Sequence, residues 1–311
     1  MASPRDRREF IKTGLAAAAM VAGGPTALLG PRAAQAADAS DLVICRGKAP
    51  AAMTRAAVDE LGGMKHFVKP GNKVVIKPNM SFAREPGSGS NTRPEVVAEL
   101  ARMCIEAGAS RVSVLDNVLQ NPHDCLSMSR IPEHCKSVPN TTVNNLQAKR
   151  FYREVKVEKG KQVKTMDVLT DVLEADVLIS APVGKCHSSS GVSLSMKGMM
   201  GLIHDRMAFH GRYNLHEAIV DMVTVLKPHL VVIDGTRILS TGGPAGPGKV
   251  IPLDLVIAST DMVAADAQMV TLGTWYGKQF TPDQVRHIRI AAERGLGRID
   301  LDRLKVSSIT A

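Results

Sequence analysis

Short apolar runs alternate with longer amphipathic stretches along most of the chain. Residues 42–45, 73–77, 112–116, 177–181, 230–234 and 253–259 have strand length and are rich in Val, Ile and Leu. Between them, residues 50–62, 93–107, 167–174, 213–226, 261–273 and 282–294 carry apolar positions at helical spacing. This alternation predicts an α/β fold, with a largely parallel sheet and flanking helices. Thr92 before Arg93-Pro94-Glu95 reads as a helix start, with Pro in the first turn and Glu95 three residues after Thr92. Residues 117–166 break the pattern. Within them 151–157 and 162–166, joined around Lys159-Gly160-Lys161, read as a hairpin or lid. Residues 37–311 are expected to form a single α/β unit, with 37–166 and 167–311 as candidate Rossmann-like lobes about a cleft.

The first 36 residues stand apart. Asp6-Arg7-Arg8-Glu9-Phe10-Ile11-Lys12, an Ala-rich apolar stretch to Leu29, and Ala34-Gln35-Ala36 look like a twin-arginine export signal with its cleavage site. Gly23, Gly24, Pro25, Gly30 and Pro31 interrupt the alternative, an amphipathic first helix. The expectation is a periplasmic or otherwise extracytoplasmic protein, handled by the twin-arginine machinery and without a membrane span in its mature part.

Composition narrows the partners. The net charge is +9, and removing the five basic and two acidic residues of the first 36 leaves +6. Basic residues are scattered and aromatics make up only 3%, so stacking on nucleic acid is poorly provided for and nucleic acid is excluded as a partner. Five cysteines are too few for a disulfide scaffold; Cys125 and Cys135, both in a loop-like stretch, are the pair best placed for one bridge. No cysteine run of iron–sulfur type occurs.

Chemistry gathers at the expected strand ends: Lys77-Pro78-Asn79, Asp116-Asn117, Lys185-Cys186-His187 and Asp234-Gly235. In a parallel sheet such ends share one edge, where α/β proteins bind ligands. Asp116 and Asp234 read equally well as residues that start a turn or cap a helix. The segment 185–191 reads as an active-site loop. His187 is the candidate base or metal ligand, Lys185 an anion holder, and Lys197 a third reactive group beside glycines that permit close approach. Arg206 reads as a bidentate clamp for a ligand carboxylate, or equally as the partner of a carboxylate on the protein's own surface. Among His204, His210 and His216, His210 is the better metal candidate and the other two read as surface residues. Cys186 would point away from Lys185 and His187 in an extended segment, as a passive residue. Gly243 to Lys249 fits the phosphate-loop spacing, but Val250 replaces the magnesium-binding hydroxyl and two prolines remove N–H donors. It reads instead as a rigid loop bordering the site.

These residues resemble the family known as domain of unknown function 362. The carriers are Val74 to Asn79, Glu106-Ala107-Gly108-Ala109, Lys185 with His187, Gly191 to Gly201, Gly242-Gly243-Pro244 with Gly246, and Asp261 to Asp266. Members sometimes carry ferredoxin-like modules, and this chain lacks cluster-binding cysteines. A second resemblance is to the lactate racemase family, which holds a nickel-pincer nucleotide. His187, Gly191 and Lys197 have that family's spacing, and Thr92-Arg93-Pro94 is similar to its phosphate-binding segment. This likeness implies Lys197 at the cofactor, His187 as proton-transfer base and His210 as the metal ligand, although His210 lies three residues short of that family's spacing. The sequence thus points to an enzyme acting on a small carboxylate-bearing ligand, with a metal or metal-organic cofactor as an option. A non-catalytic binding protein or an accessory of a redox complex are the competing classes. The expected ligand contacts are Lys77, Asn79, Thr92, Arg93, Asp116, Arg206 and Asp234, around His187, Lys197 and Lys185.

Overall fold

The computed structural model describes residues 40–311, so the expected export signal lies outside the described residues. Twelve strands are found there: β1 (Leu42–Arg46), β2 (Lys73–Pro78), β3 (Arg111–Leu115), β4 (Thr141–Asn144), β5 (Tyr152–Lys156), β6 (Thr165–Leu169), β7 (Val177–Ala181), β8 (Val183–His187), β9 (Gly191–Ser193), β10 (Leu230–Leu239), β11 (Val250–Ser259) and β12 (Val306–Thr310). Ten of them form one sheet in the order β12-β1-β11-β10-β7-β2-β3-β4, with β8 paired to β10 and to β9. The run from β10 through β7, β2 and β3 to β4 is parallel, so those strands end on the same edge. β11 is antiparallel to both neighbours and makes the sheet mixed.

Burial on both faces explains the unbroken apolar runs. Side chains alternate across a strand; Val74 and Ile76 of β2 enter one core while Val75 enters the other, and Leu42 and Ile44 of β1 part from Val43 and Cys45 likewise. A strand covered on both sides needs apolar residues at every position. Helices Pro50–Glu60 and Pro94–Glu106 contribute Met53, Ala57, Val97 and Leu100 to one core. Leu215–Val223, Met262–Leu272 and Arg286–Glu293 supply the other with Ile219, Val263, Met269 and Ile288. Among the described residues no helix is long and apolar enough to cross a membrane.

The structure corrects several expectations. Strands from 37–166 and 167–311 interleave, with β7 on β2 and β11 on β1, so one sheet stands where two lobes were an option. Lys185-Cys186-His187 is a strand rather than a loop, because β8 turns back through Gly191, at φ +78, to pair with β9. β10 continues five residues past Asp234, which therefore lies inside a strand. Residues 165–169 pair with β5 in register Tyr152↔Leu169, leaving only Thr170–Leu173 helical in the expected 167–174 helix. The residue before helix Pro94–Glu106 is Arg93, and Thr92 does not cap it. All five cysteines are buried and unpaired, Cys125 and Cys135 included.

Candidate functional site

The common strand edge assembles a cavity. β2 carries Lys77 next to its last residue and delivers Asn79, β3 delivers Asp116, and the β8–β9 hairpin carries Lys185, His187 and Ser193. The short helix Ser195–Gly198 adds Lys197, and helix Arg206–Gly211 adds Arg206 and His210. All of these line one cavity of about 90 Å3, with Pro244 of the Gly/Pro loop at its border. At about 10–15 Å3 per water-sized group, it takes a compact ligand.

Three expected contacts stand outside the lining. Thr92 is fully buried; its hydroxyl donates to the Ala181 carbonyl (2.7 Å) and accepts from the Asn79 amide (2.9 Å), tying β2 to β7. Arg93 gives its backbone N–H to Asp234 (2.8 Å). Asp234 also accepts from Thr236 and forms a buried ion pair with Arg237, whose guanidinium donates to the Pro86 and Asn91 carbonyls. These residues brace the sheet beside the cavity. Their chemistry was legible, but the length of β10 that buries Asp234 was not.

Positive charge dominates the cavity. Lys77, Lys185, Lys197 and Arg206 face it with Asp116 as the one carboxylate. Lys77 stands 3.3 Å from Asp116 Oδ1, and the other Asp116 oxygen accepts from Ser81 Oγ (2.7 Å) and the Met80 amide (3.1 Å). Lys185 donates to the Ser90 carbonyl (2.6 Å) and lies over the Phe82 ring, 5.1 Å from its centroid. Among the described residues no carboxylate comes within salt-bridge distance of Lys185, Lys197 or Arg206. Burial, then the neighbouring Lys77 charge, lowers Lys185 to about 7. Burial, then Arg206, lowers Lys197 to the same value. Both ammonium groups thus lose their protons near neutrality.

Hydrogen bonds fix the imidazole tautomers. His187 Nδ1 accepts from the Ser189 amide (3.1 Å), so in the neutral ring Nε2 carries the proton. Burial, Lys197 and His210 push His187 down to about 2, which keeps it neutral. It therefore offers a ligand an N–H donor, where the sequence pointed to a base. His210 Nδ1 faces the Arg206 carbonyl (3.1 Å), which can only accept, so Nδ1 holds the proton and Nε2 carries a lone pair. That lone pair is 3.4 Å from Lys197 Nζ, and the two imidazole rings stack at 5.9 Å.

Two local features hold this geometry. A side chain at Gly201 would collide with Asp116 and Lys77, so the expected close approach there is to the protein's own ion pair. Asp266, fully buried, accepts from the amides of Ser195 (2.8 Å) and Met196 (2.9 Å) and so anchors the turn that presents Lys197. An Asp266→Ala variant should lose about 1–3 kcal/mol for each buried donor left unpaired. Its thermal melting should show the loss, and an unchanged midpoint would remove Asp266 from this role.

Some residues escaped the sequence reading. His216, expected at the surface, is half-buried and stacks at 5.8 Å on His287, which is fully buried with both ring nitrogens unpartnered. His287 shares the buried side of its helix with Ile290 and Ala291, at helical spacing, and that signal was present in the sequence. His204, also expected at the surface, is half-buried with its ring edge-on to Tyr152. Phe82 had no motif to mark it, and Ser193 lay within the Gly191 to Gly201 segment without being singled out. Cys186 faces the core as expected from the strand alternation.

A family model described as domain of unknown function 362 matches residues 74–271, nearly two thirds of the chain and all the strands that build the cavity. This chain belongs to that family. A thylakoid-associated protein of Synechocystis sp. is 26% identical over 223 residues, 69% of this chain and 67% of its own length. Among solved structures, the lactate racemase apoprotein of Thermoanaerobacterium thermosaccharolyticum superposes with a TM-score of 0.47 at 10% identity, over 74% of this chain and 58% of that one. A protein from Thermotoga maritima gives 0.46 at 11%, over 80% and 60%. The chain thus spans about three fifths of either structure's length, and no residue role passes from them to this member of the domain of unknown function 362 family.

The residues do not fit a nickel-pincer nucleotide. Thr92 and Arg93, expected at its phosphate, are absent from the cavity lining, which leaves that end of the nucleotide without its holders. Among the described residues no three His, Cys, Asp or Glu side chains gather as a metal site.

Proposed function

We propose that this chain is an exported enzyme acting on a small carboxylate-bearing ligand held in the Lys77–Lys185–Lys197–Arg206 cavity. The observation that carries this reading is four cationic side chains facing one small cavity against a single carboxylate. Lys77 is already paired with Asp116, so an incoming anion finds Lys185 and Arg206 without carboxylate partners. The Asn79 carbonyl oxygen is occupied by the Val183 amide (3.0 Å), which leaves its NH2 group to orient the ligand. His187 donates Nε2–H to a ligand oxygen. A purely binding protein gains little from an amine such as Lys197 that is half deprotonated at neutral pH; an enzyme gains a base or nucleophile. Export rests on the Arg7-Arg8 segment alone, and a reporter fused to residues 1–36 tests it.

Calorimetry with oxalate as probe tests the binding. Lys185 holds the anion only when protonated, and the groups around it are Lys77, Asp116, Lys197, Arg206, His187 and His210. With Lys185 losing its proton near 7 in the free site, affinity should be flat just below that pH and fall by up to about tenfold per unit above it, with proton uptake on binding. Affinity that is absent, or that rises with pH, overturns the reading. Binding of small acids with no turnover of any would mark a binding protein.

A further inference from the structure

Lys197 differs from its neighbours in what touches it. Lys77 and Lys185 each donate to a carbonyl oxygen, of Pro78 and Ser90. Lys197 Nζ meets no oxygen acceptor among the described residues; its two polar contacts are Met200 Sδ (3.4 Å) and His210 Nε2 (3.4 Å). A thioether is a weak acceptor and the imidazole contact is long for a hydrogen bond, so an ammonium here is poorly held and this geometry favours the free amine. A second cation, Arg206, lines the same cavity and adds to that preference. A buried amine that is partly uncharged near neutrality, beside anion-holding groups, is a nucleophile within the cavity that would receive the carboxylate.

We propose that Lys197 forms a covalent imine with small 2-oxo acids, whose carboxylate is held by Lys185 and Arg206 and whose carbonyl oxygen faces His187. The assignment rests on the anion-binding reading and names its substrate class. In the first step the Nζ lone pair bonds to the carbonyl carbon, and the C=O π pair moves to oxygen, which takes a proton. His187 Nε2–H steadies that oxygen by a hydrogen bond and keeps its own proton. His210 Nε2, with its free lone pair, accepts the proton that nitrogen sheds and passes it to the oxygen. The resulting carbinolamine expels its hydroxyl as water, which takes the second nitrogen proton by the same route, and the nitrogen lone pair closes the C=N bond. Amine plus carbonyl gives imine plus water, so no oxidant or reductant enters. The other two lysines are less suited: Lys77 is paired with Asp116, and Lys185 is tied to Ser90 under the Phe82 ring.

The test traps the imine. The full chain at neutral pH is incubated with pyruvate and sodium borohydride, digested, and mapped by mass spectrometry. A carboxyethyl group should appear on Lys197 at least tenfold above every other lysine, should fall with added oxalate, and should be far weaker when acetone, which lacks the carboxylate, replaces pyruvate. In Lys197→Gln, checked by thermal melting, the site should go unlabelled; if that variant does not fold, the wild-type peptide map decides alone. Labelling spread over surface lysines, or centred on Lys185, overturns the proposal. Oxalate that binds while pyruvate leaves Lys197 unlabelled overturns the imine and spares the anion site; oxalate that does not bind overturns both.

Discussion

Asp234→Ala should destabilise the chain by about 3–5 kcal/mol, the usual cost of removing one partner of a buried ion pair. Asp234 is fully buried and its partner Arg237 nearly so. The carboxylate receives four donors: the Arg237 guanidinium, the Thr236 amide (3.1 Å) and hydroxyl (2.7 Å), and the Arg93 amide (2.8 Å). Without it the guanidinium keeps the Pro86 and Asn91 carbonyls and the Thr236 hydroxyl, none of them charged, and stays a cation inside the protein. Arg237→Met alone should cost less, because the carboxylate retains three donors. The double variant should also be milder than Asp234→Ala, since no unpaired cation remains buried. Urea unfolding of the three variants measures this order. An Asp234→Ala midpoint equal to wild type, with oxalate binding lost, would return Asp234 to the ligand.

That outcome bears on what the sequence could say. Strand-length apolar runs located β1, β2, β3, β7 and β11 because burial on both faces of the sheet, parallel or not, leaves a continuous signal. Lys77, Asn79, Asp116, Lys185 and His187 converge as the shared strand edge demanded. Long-range pairing was not legible. Nothing local says that β10 runs past Asp234 to pair with β8 and β11, and that extension buries a carboxylate that otherwise looks like a strand-end ligand. Thr92 misled for a related reason: its hydroxyl serves a contact with Ala181, 89 residues away, in place of the helix it precedes. Tautomers were also out of reach, since the Ser189 turn that makes His187 a donor depends on the hairpin geometry. β4, β12 and the helices Pro122–Ser129 and Ile131–Cys135 carried patterns too short to separate from irregular chain.

The same cavity implies a conflict between stability and binding, which Lys185→Met exposes. The ammonium is buried, without a carboxylate partner, beside Lys77 and Lys197, and these surroundings lower it from 10.5 to about 7. In the unfolded chain Lys185 keeps its proton up to the ordinary lysine range. Between about 7 and 10.5 the unfolded state therefore binds more protons, and the contribution of this residue to stability rises with pH; below 7 both states are protonated and the full cost of the buried charge is present. Methionine matches the length of the stem and carries no charge. The variant should be more stable than wild type by on the order of a few kcal/mol at pH 6, less about 1 kcal/mol for the Ser90 carbonyl left without its donor. That advantage should shrink steadily toward pH 10. Oxalate affinity should move the other way, falling about 10- to 100-fold with the lost charge-assisted hydrogen bond. Thermal melting at pH 6, 8 and 10 with calorimetry at pH 6 separates the two effects. A variant less stable than wild type at pH 6, with a gap that does not narrow on raising the pH, would mean that Lys185 holds the fold together and is not a charge kept buried for a ligand.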